Sequence, residues 1–519
     1  MSAEQETILR DAVTPEVDTG AELARGAFVN IMSLVAANLR AIFTLLIGRL
    51  LGRATLGTFG IAWSVTDLLS EFGSFGMETS TIALVSARQA KGDAAGTRAL
   101  MRRAVSFSML FSVLIATLGI IGFQTLGPRF GQRPELIRCA SVMLLAVPGI
   151  VLYRVCNGVS RGMKVMKHDL YSKGFTETWA TVICFIIAFF LGFGDLAPVV
   201  GVVLGTAAGG LMAFFLARSL VARTKAARGE RTTASLIRFS APIAIYGLLN
   251  LLIMRMDVLL LAFLGRRNGI TMGTIGIFVA SVEISGGMRK VRQAFDPMFT
   301  PIIARQSAAQ DKAAMQESFA QLARWVLAAQ LPLMGVLCLA GGIGLDIFGP
   351  NFRGGELWVA LLAIAHATNS FVGLAETVIM IQRPNLNLVN SGVTVLLQLA
   401  CSFILIPPFG ATGAAFCMLI AYFTQGVLRY FELRYVFKWK FPWPALVRPM
   451  IAFVIALAVA LPLRFLLHGR VAEVSSGLTF IAAYVGAWAW IGLEEKDRVV
   501  LRQLRAGGRR RPVEPDELA

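Results

Sequence analysis

The sequence predicts an all-α polytopic membrane protein with fourteen transmembrane helices, arranged as two parallel six-helix bundles and two further C-terminal helices. Three observations carry this expectation. Of 519 residues, 56% are hydrophobic and only 15% charged. Apolar runs of about 20 residues, the length that crosses a hydrocarbon core as a helix, recur along the whole chain. Finally, Gly57-Thr58-Phe59-Gly60-Ile61 returns about 216 residues later as Gly273-Thr274-Ile275-Gly276-Ile277, and Ala87-Arg88-Gln89 returns as Ala304-Arg305-Gln306. In lipid every backbone polar group needs a partner within the protein, so runs this long and continuously apolar are helices, since barrel strands would be half as long and alternating.

Residues 1–25 are polar and acidic, with no short apolar core or cleavage site, so they are expected to be a cytoplasmic segment and not a signal peptide. The apolar segments then cover 26–50, 56–85, 104–126, 138–158, 173–193, 196–217, 238–264, 271–298, 320–343, 355–380, 389–407, 411–434, 445–467 and 473–493. The connections are too short to fold as separate soluble domains. The expected organisation is a first bundle at 26–236, a second at 237–440, two additional helices at 441–493 and a basic tail at 494–519.

Orientation follows from the basic residues. The connection after segment 2 carries Arg88, Lys91, Arg98, Arg102 and Arg103; that after segment 4 carries Arg161, Lys164, Lys167 and Lys173; that after segment 6 carries Arg218, Arg223, Lys225, Arg228 and Arg231. These even connections are expected inside, and with them both termini. The connections after segments 3 and 7 are partial exceptions. The tail, with Arg498, Arg502, Arg505, Arg509, Arg510 and Arg511, suits an anionic inner leaflet. Trp439 and Trp443, beside Lys438 and Lys440, are expected to anchor segment 13 at the interface. A repeat of six segments is even, so the second copy enters with the same polarity and the halves are related by an axis along the membrane normal.

The net charge of +18 fits basic cytoplasmic connections better than a nucleic-acid partner. The six cysteines are scattered through apolar runs without paired spacing, which argues for packing and against disulfides or metal. No phosphate-binding Gly-rich loop, zinc-protease motif or nucleophile elbow occurs. No catalytic site, cofactor or metal is expected.

The candidate site is a set of charges in apolar segments. One charge at bilayer depth costs at least ~2.5–3.5 kcal/mol, so several together indicate a polar cavity. Asp67, Glu71, Ser74 and Glu78 stand at i, i+4, i+7 and i+11, one stripe of a helix. The matching stripe of segment 8 is Glu283, Gly287, Lys290 and Ala294, flanked by Arg289, Arg292 and Gln293. Segment 1 carries Arg40; segment 7 carries Arg255 and Asp257, which point ~200° apart, so that one of them is expected to pair with a neighbouring helix. Arg154, Arg161, Glu177 and Glu376 are further candidates. The bland alternative is that these groups are salt bridges holding helices in register, for instance Arg40 with Asp67 or Arg255 with Glu283. His366 reads as a packed or pore-lining polar residue, and Gly205–Gly210 as close helix packing.

The stretch Gly48-Arg49-Leu50-Leu51-Gly52-Arg53-Ala54-Thr55-Leu56-Gly57-Thr58-Phe59-Gly60, followed by Leu68-Leu69-Ser70-Glu71-Phe72-Gly73-Ser74-Phe75-Gly76, resembles the opening of bacterial polysaccharide flippases of the Wzx type. Arg53 stands where that family usually has Pro. The wider group also holds drug/cation antiporters and the peptidoglycan precursor flippase. The resemblance implies a non-enzymatic secondary carrier of the bacterial inner membrane. It would flip an undecaprenyl-diphosphate-linked oligosaccharide by alternating access, among membrane lipids and other polysaccharide-assembly proteins. It implies a cationic cavity, for which Arg40, Arg255, Arg289, Lys290 and Arg292 are the candidates by location. Asp67, Glu71, Glu78, Asp257 and Glu283 are then candidates for ion coupling or structural pairing. Competing readings are a cation-coupled multidrug exporter of the same fold and a membrane glycosyltransferase or polymerase. Arginines beside the acids favour an anionic ligand, and the short outward connections disfavour the enzyme.

Overall fold

A computed structural model describes the backbone of residues 19–221, 233–265 and 269–492, with side chains from residue 41 onward at most of these positions. The described residues contain helices and no strand. The helices are α1 Thr19–Ser74, α2 Met77–Gln89, α3 Ala94–Arg129, α4 Pro134–Met143, α5 Ala146–Gly162, α6 Thr178–Phe190, α7 Ala197–Val221, α8 Thr233–Leu264, α9 Met272–Ala308, α10 Lys312–Phe348, α11 Glu356–Gln382, α12 Pro384–Phe431, α13 Trp443–Leu466 and α14 Gly469–Ala487. A π-helical turn, Leu170–Glu177, leads into α6.

Eleven helical stretches among the described residues are long and apolar enough to cross a membrane. This is a multi-pass membrane protein. The sequence expectation of fourteen differs for two physical reasons. Segments 1 and 2 run on as one helical stretch, as do 11 and 12, interrupted only by non-helical backbone at Gly52 (φ 86°) and Gly410 (φ 57°). The helix α9 is 37 residues long but carries Glu283, Arg289, Lys290, Arg292 and Asp296 inside it, which lowers its apolarity.

The internal duplication reaches down to the turns. After Ala87-Arg88-Gln89 the chain passes through Gly92 at φ 68° to Asp93, whose carboxylate accepts from the Gly96 amide (2.7 Å) and caps α3. After Ala304-Arg305-Gln306 it passes through Gln310 at φ 57° to Asp311, whose carboxylate accepts from the Ala314 amide (3.0 Å) and caps α10. An unpaired N-terminal amide satisfied by an Asp side chain is the usual helix start. Its recurrence after the same tripeptide marks one turn used twice.

The chain forms two compact units, residues up to 279 and residues from 280 onward. In the first, α5 and α6 pack on α7 through small residues: a side chain on Gly205 or Gly209 would run into the Glu177–Thr181 backbone region, and one on Gly210 into Gly149. The Gly-rich run is thus close packing, as expected. The core there includes Phe43, whose ring meets Phe59 and Phe185 edge-on at 5.6 and 5.5 Å. The two copies of the repeated motif also touch. A Cβ on Gly57 would overlap the Met272 carbonyl, one on Gly276 the Arg53 carbonyl, and one on Gly60 the Val279 side chain.

In the second unit α13 and α14 dock on α10. Phe480 fills the space left by Gly335, and Tyr484 donates its hydroxyl proton to the Ala328 carbonyl (3.0 Å). Beyond the end of α10, Arg353 forms a two-point ion pair with Asp346 (2.7 and 2.9 Å) and reaches the buried Glu473 of α14 (3.1 Å), while Arg470 reaches Asp346 at 2.8 Å. The hydrogen bonds that Arg353 donates to the Asp346 carboxylate, aided by the Glu473 charge, hold its guanidinium above its ordinary range. Trp439 corrects a sequence expectation: only 3% exposed, it packs against Phe319 at 6.0 Å within the core, whereas Trp443 is half exposed. All six cysteines are unbridged.

Candidate functional site

In the first unit the acidic stripe is answered by arginines from two other helices. Asp67 is 7% exposed. One carboxylate oxygen receives Arg154 of α5 (3.0 Å), and the other receives both Nε and Nη2 of Arg255 on α8 (3.1 and 2.9 Å). Arg154 gives its second nitrogen to Glu71 (2.7 Å). Glu71 fits against α8 because Gly247 faces it; any Cβ there would overlap the carboxylate. Two acids and two arginines therefore form one connected group in which each charge has an opposite charge at hydrogen-bond distance, the arrangement that a low-dielectric interior requires.

Glu78 does not continue the stripe on the same helix, which corrects the sequence reading. The helix stops at Ser74, and Phe75 and Gly76 take left-handed backbone (φ 49° and 67°) before α2 begins at Met77. The physical cause is the closeness of α8: a Cβ on Gly76 would fall 2.7 Å from the Ala244 nitrogen and 2.8 Å from the Ser240 carbonyl. Glu78 instead opens a second layer with Arg161 (3.1 Å), which also holds Asp169 (2.8 Å). Asn157 donates to Asp169 (2.8 Å), and Ser172 donates to Asn157 (2.9 Å).

In the second unit the corresponding helices make a comparable layer with the charges exchanged. Arg292 of α9 meets Glu376 of α11 at 3.3 Å and Asp296 at 3.7 Å. Arg429 of α12 meets the same Glu376 oxygen at 3.0 Å and donates to Asn369 at 3.3 Å. Gly373 gives Arg292 its room. Here the base stands on the first helix and the acid on the second, with Arg292 two residues before Ala294, the position that matches Glu78.

The remaining candidates are placed as follows. Glu283 is exposed, Arg289 and Lys290 are half-buried on α9, and Asp257 is fully buried with one carboxylate oxygen accepting from the Val258 amide (2.8 Å). Arg255 and Asp257 do part company, as their spacing requires, and Arg255 takes the neighbouring-helix partner. Its partner is Asp67. The Arg40 side chain lies outside the described residues, as do Arg223, Lys225, Arg228, Arg231 and the basic tail from 494 onward. His366 is 1% exposed beside the Tyr422 ring at 5.5 Å, and neither ring nitrogen has a hydrogen-bond partner among the described residues. Sequence reasoning passed over Arg429 and Asn369; the signal was the first of three charges, Arg429, Glu432 and Arg434, inside the apolar segment 411–434. Among the described residues no group of three or more His, Cys, Asp or Glu side chains is arranged to hold a metal ion.

Solved structures share this fold. Over 92% of this chain and all of the other, it resembles the lipid II flippase MurJ in an inward closed conformation, with a TM-score of 0.72 and 14% identity. An inward-facing multidrug resistance MATE family transporter of the MOP superfamily matches 79% of this chain and 98% of its own, at a TM-score of 0.60 and 13% identity. The eukaryotic MATE transporter AtDTX14 matches 79% of this chain and 94% of its own, at 0.57 and 12%. No curated protein gives a sequence match. The family model described as polysaccharide biosynthesis protein matches residues 23–282, half of the chain, including the whole acidic stripe with Arg154, Arg161 and Arg255. The chain thus belongs to the polysaccharide biosynthesis protein family.

Proposed function

We propose that the protein is a secondary carrier that flips an undecaprenyl-diphosphate-linked oligosaccharide from the cytoplasmic to the periplasmic leaflet of a bacterial inner membrane. Fourteen crossings follow if the two glycine-broken stretches each pass twice and α9 passes once, with both termini inside and the repeat boundary at 236/237. One observation carries the choice among members of the fold. The MATE matches cover 79% of the chain, close to the length of two six-helix repeats, whereas the lipid II flippase match covers 92% and so extends into the C-terminal pair as well.

The charges supply a mechanism. Arg40, Arg255, Arg289, Lys290 and Arg292 are the proposed ligands for the diphosphate, since guanidinium forks match phosphate oxygens. The pairing of Arg255 and Arg154 with Asp67 supports an exchange: the entering phosphate replaces the carboxylate, so that neither arginine is left uncompensated. Loss of the Asp67 charge would free Arg255 and leave Arg154 with Glu71 alone, which makes Asp67, with Glu71, Glu78, Asp257 and Glu283, the proposed coupling or pairing set. The membrane potential contributes as well, because outward passage of about two negative charges gains roughly 4–5 kcal/mol per 100 mV. The packed Gly57–Gly276 contact serves as the seal at one end of the passage, which opening must part.

The test is reconstitution in liposomes loaded with labelled undecaprenyl-diphosphate oligosaccharide, with accessibility to an external reagent as the readout. Exposure above that of protein-free liposomes is expected. Parity with them, together with efflux of a cationic drug, would replace this reading by the multidrug exporter.

A further inference from the structure

One feature of the sequence has no role in the carrier: the basic residues of the connection after segment 3. In the structure Arg129, Arg133 and Arg138 all lie exposed around the junction of α3 and α4, with Glu135 among them. No carboxylate stands within ion-pair distance of any of the three among the described residues. Beside Arg138 opens a groove of about 430 Å³. Gln124, Gln132 and Arg138 supply its polar atoms, and Pro128, Ile137 and Val142 its apolar walls. Ser141 also lines it, and its buried hydroxyl has no hydrogen-bond partner among the described residues.

The groove continues the lipid-exposed face of α3. Leu114, Leu118 and Ile121 are each about half exposed, at i, i+4 and i+7, and Pro128 follows on the same face at i+14. An apolar stripe that ends at two amides and an unpaired guanidinium has the amphipathic pattern of a phospholipid: chain below, phosphate at the top. We propose that this groove binds one anionic glycerophospholipid, its phosphate held by Arg138 with the Gln124 and Gln132 amides and one acyl chain passing Val142 and running down the Ile121–Leu118–Leu114 stripe of α3. Guanidinium and amide N–H groups donate to phosphate oxygens, and the arginine charge selects an anionic headgroup over a zwitterionic one. The same contact gives a reason for basic residues on a connection that the proposed orientation places outward, where the general bias is against them.

The site is independent of the flipped substrate, so its test is separate. The full-length protein would be placed in phosphatidylcholine nanodiscs containing a phosphatidylglycerol with a photoreactive acyl chain, and the labelled peptide mapped. Label is expected within residues 124–142, competed by unlabelled phosphatidylglycerol but not by inorganic phosphate. Arg138→Ala should lower labelling roughly five-fold, the worth of one arginine near a lipid surface. Val142→Phe, which fills the groove and leaves the charge, should lower it too, and unchanged thermal unfolding of both variants would exclude misfolding as the cause. Label elsewhere, labelling indifferent to both variants, equal competition by phosphatidylcholine, or competition by inorganic phosphate would each overturn the proposal.

Discussion

The acid–base layers of the two units do the same job with opposite signs. In the first unit Glu78 of α2 meets Arg161 of α5; in the second Arg292 of α9 meets Glu376 of α11. The sequence separations, 83 and 84 residues, are nearly equal. An acid–base contact between two helices holds whichever helix carries the acid, because the Coulomb energy depends on the product of the signs. What the exchange alters is the surplus. Arg161 is shared by two carboxylates in the first unit, while Glu376 is shared by two arginines in the second. The two layers thus differ in which partner is shared, a base between two acids in the first unit and an acid between two bases in the second.

The comparison can be broken most sharply at Asp67, which has no charge-exchanged counterpart of its own. Asp67→Asn leaves Arg255 without its carboxylate and Arg154 with Glu71 alone, and should cost roughly 3 kcal/mol, read as a lowered unfolding midpoint in detergent. An unchanged midpoint would mean that the arginines find other anions. The two layers can next be set against each other. Arg161→Gln strips Glu78 of its one ion-pair partner among the described residues, whereas Arg292→Gln leaves Glu376 still held by Arg429. The first should therefore lose about 2 kcal/mol and the second about 1, by the same measurement. Equal losses would show that partner number is not what distinguishes the units. A further contrast concerns the chain breaks on either side of the stripe. Gly76→Ala meets both a left-handed φ and the α8 backbone, and should cost about 3 kcal/mol. Gly52→Ala meets open space and pays only for its φ of 86°, about 1 kcal/mol. Matching shifts in the unfolding midpoint would remove α8 as the cause of the break at Gly76.

Much of this molecule was legible before any coordinates. Length and apolarity of the runs forced helices, and the repeated Gly-Thr-x-Gly and Ala-Arg-Gln motifs identified a duplication whose turns and caps the structure repeats. The charges of segments 2, 7 and 8 do find ion-pair partners, but many of those partners stand in segments 4, 10 and 12, and the Arg40 side chain of segment 1 lies outside the described residues. Periodicity, however, assumes an unbroken helix. It carried the stripe through to Glu78, when the approach of α8 at Ser240–Ala244 breaks the helix at Gly76. It also left partners undefined, because a guanidinium about 85 residues away in sequence gives no local signal.

The sequence by itself thus determined the class of fold, the duplication and the charged helices, all consequences of local composition and repetition acting through the cost of exposing polar groups to lipid. Only tertiary structure decided which acid holds which base. That choice depends on where glycines such as Gly247 and Gly373 let a neighbouring helix come close enough for a side chain of fixed reach to make a contact near 3 Å.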